Sequence, residues 1–426
     1  MKNLERPKRW ILWLVGLGML GFALADRARA QEAVEPVAPR PEMHARQDIL
    51  IPDSSLERAA DKGKGTVAHT NHVIMGVTVA AEEVARRADE REAAATSTVF
   101  YETPATIRSA YNLPLTGGAG VIAVVDAYDD PAAESDLEAF SSLLRLPACS
   151  SLTGCFQKVY ASGRKPALNC GWAQEEALDI EWAHAMAPNA RIVLVEAASN
   201  SSTDLFHAVD VANGVVSPRG MGFGEVTMSW GLSEFPSEAA YDTHFVTTGI
   251  VYFASSGDVG GARNYPAVSP RVVAAGGTTI HRSSTGAFLS ETAWSGSGGG
   301  PSPYEPRPPF QNVVVTRVGA QRGSPDVAFD ADPHSGVLVY DSTPCGGISG
   351  WLIFGGTSVS APSVAGIVNL AGHFYHSSSI ELSTMYSNLG TPNFRDIVSG
   401  TAGSFSASPG WDFTTGIGSS LGVAGK

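Results

Sequence analysis

The chain has no excess of positive charge, no long apolar run after its first 30 residues, no C-x-x-C pair and no internal repeat. Each absence removes a class of function. A formal net charge of -13 over 426 residues argues against nucleic acid or an anionic membrane as the main partner. The first 30 residues hold six basic and two acidic side chains, which leaves -17 on the rest. The spacing of Cys149, Cys155, Cys170 and Cys345 does not suit a zinc site. Lack of a repeat removes solenoid architectures. What remains is a chain that is 43% hydrophobic and only 17% charged, with enough apolar matter for a large globular core.

The N-terminus has the layout of a secretory signal peptide. Lys2, Arg6, Lys8 and Arg9 precede an apolar run over 10–25, and Ala28-Arg29-Ala30 offers a small-x-small cleavage site. The run is shorter than the roughly 20 residues a membrane span needs. Residues 1–30 are therefore expected to be removed, leaving a secreted or periplasmic product with no membrane attachment. In that setting four cysteines suggest two disulfides. Of the three pairings, Cys149–Cys155 closes a short loop and is preferred, which leaves Cys170–Cys345; buried free thiols are the alternative.

Residues 31–98 differ in texture. Prolines 36, 39 and 41 are followed by an Ala-, Glu- and Arg-rich stretch over 80–95 that reads as a charged helix. This region is expected to be a short propeptide or spacer, and 99–426 the functional domain. Short apolar strands recur at 120–127 (GVIAVVDA), 191–197 (RIVLVEA), 225–230 (EVTMSW) and 249–254 (GIVYFA). Helical stretches lie between them, notably 174–187 and 203–213. Alternation of this kind predicts an α/β fold with a parallel sheet and a site at the carboxyl ends of its strands. The stretch 295–311 (SGSGGGPSPYEPRPPFQ) is expected to be a surface loop.

Three groups of residues could carry chemistry. In 355–362 (GGTSVSAP), glycines precede Ser358, and an apolar helical segment comes after it, with Pro362 in its first turn. That would set Ser358 at a helix N-terminus, as nucleophile or as cap. In 174–187 (QEEALDIEWAHAMA), Glu175 and Asp179 are four apart and share a helix face. Two close carboxyls cannot both ionise easily, so one can serve as a base. With Glu176 and Glu181 close by, a plain solvated acidic face is the competing reading. His184 lies nine positions from Glu175, on the opposite face, and reads as a core histidine. In 254–258 (ASSGD), Asp258 ends a strand and could donate a proton to an oxyanion if kept neutral.

Taken in order, Glu175-x-x-x-Asp179, Ser-Gly-Asp258 and Gly-Thr-Ser358-x-Ser-x-Pro resemble the signature of the sedolisins, the S53 serine-carboxyl peptidases. The similarity extends to TPATIRSAYNLP (103–114), VVDAYDDP (124–131), YPAVSPRVVAAGGTT (265–279), WSGSGGGPS (294–302) and PDVAFDADP (325–333). The resemblance implies a subtilisin-like central parallel sheet with helices on both faces. It implies an endopeptidase acting on proteins or peptides, at acidic pH and as a monomer. Ser358 would be nucleophile, Glu175 general base, Asp179 its support and Asp258 the oxyanion acid. It also implies one structural Ca²⁺, with carboxylates from Asp396 and Asp412 and carbonyls from Ile397, Ser408 and Gly410. The family usually has glycine where Ser408 stands, and its pro-region is usually longer. Two other readings stay open: a subtilisin-type triad of Asp126, a histidine and Ser358, and an inactive binding module on a protease scaffold.

Overall fold

The computed structural model describes residues 43–46, 48–88, 90, 94–95 and 100–426. The expected signal peptide at 1–30 lies outside them. The main sheet is built from eight parallel strands. These are β1 Val121–Ala127, β2 Phe156–Tyr160, β3 Arg191–Ala197, β4 Gly224–Met228, β5 Ile250–Ser255, β6 Val273–Arg282, β7 Val327–Asp330 and β8 Ser419–Ser420. Their spatial order is β2-β3-β1-β4-β5-β6-β7-β8, with an antiparallel edge strand Phe394–Arg395 beside β8.

Period-two alternation explains why helices cover both faces. In β1, Ala123, Val125 and Ala127 point to one core, while Ile122 and Val124 point to another. In β5, Ile250, Tyr252 and Ala254 face the first, and Val251 and Phe253 the opposite side. A strand buried on both faces reads as a continuous apolar run. Helix α1 (Ala133–Leu143), helix α2 (Cys170–Met186) and helix α4 (Thr357–Ala371) cover one face; helix α3 (Ser202–Val216) covers the other. This is the expected α/β architecture.

A second, antiparallel sheet orders its strands Met43–Arg46, Ile49–Pro52, Val73–Thr78, Ile348–Gly355 and Val337–Cys345. It joins residues of the expected spacer to the hairpin that runs into α4. Ile74, Met75, Val79 and Val84 belong to the same core as α2 and α4.

Three local expectations need correction. The charged helix expected over 80–95 is found only over Ala81–Arg87, and part of the stretch 88–95 lies outside the described residues. The stretch 295–311 is not simply a surface loop. Gly300–Pro306 pairs with Gln321–Ser324, and Gly298 and Gly299 are buried, each 2.1 Å at a would-be Cβ from a backbone oxygen. Glycine there permits backbone packing rather than looseness. Pro362 sits inside α4, beyond its first turn. Its missing N–H frees the Ser358 carbonyl, which accepts instead from the Ser229 hydroxyl at 3.4 Å.

Both disulfides of the preferred pairing form, Cys149–Cys155 and Cys170–Cys345. The second ties the first residue of α2 to the end of the strand whose hairpin partner leads to Ser358. Its ends are 175 residues apart, against 6 for the first. Cross-links over longer loops remove more entropy from the unfolded chain. Replacing Cys170 and Cys345 by serine should cost roughly 2–5 kcal/mol in a denaturant melt, more than the same change at Cys149 and Cys155.

Candidate active site

Helix α2 is buried along its whole length from Gly171 to Met186. Asn169 caps it, accepting from the N–H groups of Gly171 and Trp172 at 3.1 and 3.2 Å. The solvated acidic face is thereby excluded, since Glu175, Glu176, Asp179 and Glu181 are all 0% exposed. The Trp182 indole ties the helix to the second sheet by donating to Leu338 O at 2.9 Å. The Asp179 carboxyl lies beside the Ser229 hydroxyl and the Glu175 carboxyl. Burial first, then the charges of Asp126 and Glu175, hold its pKa well above the usual carboxyl range. Asp126, at the carboxyl end of β1, is raised in the same way by burial, Glu175 and Glu196. Three acids thus crowd one dry space, and they cannot all ionise.

Ser358 stands in the first turn of α4, after Gly356 at φ 101°. Its backbone N–H donates to Asn71 O at 2.9 Å. Its hydroxyl donates to Ser229 O at 3.2 Å and accepts from the Asn71 N–H, also at 3.2 Å. The next residue along the chain, His72, meets the acid: its Nδ1 lies 2.7 Å from Glu175 Oε2. Ser358 thus meets the backbone of Asn71, and Glu175 meets the side chain of the adjoining residue, His72. The stretch Asn71–His72 lies between the two groups, and no hydrogen bond joins Ser358 to Glu175 among the described residues.

Asp258 approaches from a third side. Its Oδ1 accepts from the Thr357 N–H at 2.7 Å and the Thr357 hydroxyl at 2.9 Å. The residue is partly exposed, but Oδ2 is enclosed and unpartnered. A Cβ at Gly356 would fall 2.3 Å from Asn71 O and 2.4 Å from Asp258 Oδ2. Glycine at 356 is thus required for the free oxygen of Asp258 and the Asn71 carbonyl to face the same gap. Burial raises the Asp258 pKa to about 8, so the group is protonated and able to donate at neutral pH and below.

His184 does not join this site. Its Nε2 lies 2.9 Å from Pro147 O, and the ring is buried next to the Cys149–Cys155 disulfide. The C-terminal loops expected to hold a metal do come together. Gly410 N–H donates to Asp396 Oδ2 at 2.9 Å, and Ser408 N–H to Asp412 Oδ2 at 2.9 Å. Asp412 Oδ1 also organises its own turn through Thr414 and Thr415.

A family model described as the subtilase family matches residues 168–418, more than half of the chain. The chain belongs to the subtilase family. Within it, this subtilase is of the sedolisin type. It is 35% identical to sedolisin of Pseudomonas sp. (strain 101) over 37% of its own length and 28% of the relative's. To kumamolisin of Bacillus sp. (strain MN-32) it is 33% identical over 58% of its own length and 49% of the relative's. It therefore spans less than half of each of these two relatives. The solved structure of Pseudomonas sedolisin, described as a serine-carboxyl proteinase, shares the fold. There the TM-score is 0.64 at 24% identity, covering 76% of this chain and 96% of that one.

Asn71, His72, Ser229 and Ser255 are site residues that sequence reasoning missed in this subtilase. Asn71 Nδ2 donates to Ser255 Oγ at 2.7 Å, and the His72 ring stacks on Phe354 with centroids 5.4 Å apart. The one local signal was the apolar strand-like run 73–78 (VIMGVT) just after them.

The buried acids couple folding to pH. Glu196 and Glu305 are raised to about 7, and Asp258 and Asp341 to about 8, in each case mainly by burial. In the unfolded chain such groups ionise near pH 4. The folded state therefore binds more protons above pH 4, and its stability falls as pH rises through the folded values. Thermal melts should show the highest Tm near pH 4 and a continuous decline to pH 8. A Tm that rises over that range would contradict the assignment.

Proposed function

We propose that this subtilase is a secreted serine endopeptidase that hydrolyses peptide bonds in proteins at acidic pH. The observation that supports it is that Ser358 and Asp258 face the Asn71 carbonyl while Glu175 meets the side chain of the next residue, His72. Ser358 Oγ attacks the scissile carbonyl carbon. Its proton passes to Glu175, which returns it to the leaving amine. Protonated Asp179, with Asp126 behind it, keeps a second negative charge away from Glu175. The oxyanion is held by the Ser358 N–H and by Asp258, which must carry its proton to donate. Because Asp258 loses that proton above about pH 8, activity falls on the alkaline side.

One contact favours a second reading. The His72 imidazole on Glu175 has the form of a histidine–carboxylate pair. Its Nε2, however, has no hydrogen-bond partner and does not reach Ser358. Protein digestion across pH separates the two. Ser358→Ala and Glu175→Gln should each abolish digestion, while His72→Ala should retain it. Asp258→Ala should lower kcat by about 10²–10³-fold. Asp258→Asn, which keeps a donor, should extend activity to higher pH. Loss of activity in His72→Ala with a soluble, folded product would favour the histidine reading.

We further propose one structural Ca²⁺ at Asp396, Ile397, Ser408, Gly410 and Asp412. The donor set supports it: two carboxylates that both meet the turn 408–412, and three loop carbonyls that accept no hydrogen bond among the described residues. Bound there, the ion would fasten the loop after Phe394–Arg395 to the turn 408–412 at the edge of the main sheet. Chelator should lower Tm and added CaCl₂ restore it, with the gain growing with concentration. Asp396→Ala should remove that dependence.

A further inference from the structure

An asparagine side chain occupies the recess beside Ser358. Its backbone lies extended, with Thr70 and His69 paired antiparallel to Trp230 and Gly231. The Asn71 N–H donates to Ser229 O at 3.2 Å, and the Asn71 carbonyl accepts from the Ser358 N–H at 2.9 Å. Pairing of this kind is how a sheet edge holds a peptide, and the recesses beside the edge read its side chains. Here Asn71 Nδ2 donates to Ser255 Oγ at 2.7 Å. Among the described residues this is the one hydrogen bond of the Ser255 side chain, and Asn71 is 1% and Ser255 0% exposed. Asn264, opposite Ser233, bounds the recess. A Cβ at Gly231 would fall 2.8 Å from Asn264 Nδ2, and one at Gly257 closer still. The Asn264 amide thus fills the space between the two segments that flank Asn71, 229–231 and 255–257, and shortens the recess.

We infer that this protein selects protein and peptide substrates with asparagine on the carbonyl side of the scissile bond, a specificity that rests on the peptidase reading above. Ser255 is the residue that reads the side-chain amide, and Asn264 limits its size. A substrate asparagine seated as Asn71 is turns its carbonyl toward the Ser358 N–H and the enclosed oxygen of Asp258. Its amide hydrogens supply the donor that the buried Ser255 oxygen takes from Asn71. Leucine has nearly the same shape without the amide. In that recess it leaves the Ser255 hydroxyl buried and without its donor, a loss that costs about 10-fold in kcat/KM. Phenylalanine is longer and runs into Asn264. The preference thus comes from one polar partner and one wall, both set by side chains outside the reacting groups.

Full-length protein and its Ser255→Ala and Ser358→Ala variants are incubated at pH 4 with casein and with three synthetic peptides. The peptides differ only in carrying asparagine, leucine or phenylalanine before the scissile bond, and far-UV circular dichroism confirms that each protein is folded. The expected kcat/KM for the asparagine peptide is about 10-fold or more above the other two, and casein fragments end mainly in asparagine. In Ser255→Ala the asparagine-to-leucine ratio falls to near one, and Ser358→Ala cuts neither casein nor peptide. Equal or faster cutting of the leucine or phenylalanine peptide, or an unchanged ratio in Ser255→Ala, would overturn the inference. Casein digestion that needs Ser358 but ends mainly at other residues overturns it while leaving the peptidase reading intact. No digestion of casein or peptides defeats both.

Discussion

Carboxyl groups without counter-charges, sealed from water, set the terms for the rest of this molecule. A buried carboxylate with no cation beside it is costly, and the group responds by keeping its proton. Asp126 and Asp179 are in this condition, and so is the enclosed oxygen of Asp258. Neutral acids can stand close together, so Asp126 and Asp179 fit beside Glu175 in one buried cluster. A set of ionised acids would have pushed the helix and the strand ends apart. The same condition leaves a proton on Asp258 for its free oxygen to donate, while Oδ1 accepts from Thr357, and a donor is what an oxyanion requires.

The architecture then has to bring distant segments to that place. Helix α2 and helix α4 pack against each other on one face of the main sheet, and each carries its functional residue near its N-terminus. The Cys170–Cys345 bridge adds a covalent tie between the start of one and the hairpin leading to the other. Gly356 contributes by having no side chain, because any Cβ would occupy the gap that the oxygen atoms share.

Much of this was legible in the order of residues. The four-residue spacing of Glu175 and Asp179, the strand ends at Asp126 and Asp258, and the glycines before Ser358 all have local causes. So do the apolar runs of the parallel sheet. The burial of Glu176 and Glu181 was not legible, because a helix with four acids in seven positions looks solvated until its packing is known. Asn71 and His72 were hidden for another reason. Their significance comes from pairing with strands more than a hundred residues away, and their surroundings read as a spacer. Pro362 lay deeper in its helix than expected because the helix starts at Thr357, ahead of the apolar repeat.

The strand Val73–Thr78 has a further bearing on how the protein behaves in solution. It lies between Ile49–Pro52 and Ile348–Gly355, and so covers the edge of the hairpin leading to Ser358. If this strand were withdrawn, a row of unpaired amides and carbonyls and the apolar side chains beneath would face solvent. Neighbouring molecules could add to that edge and begin to precipitate. Solubility at high concentration is thus tied to a stretch of chain outside the region 99–426 assigned to the functional domain.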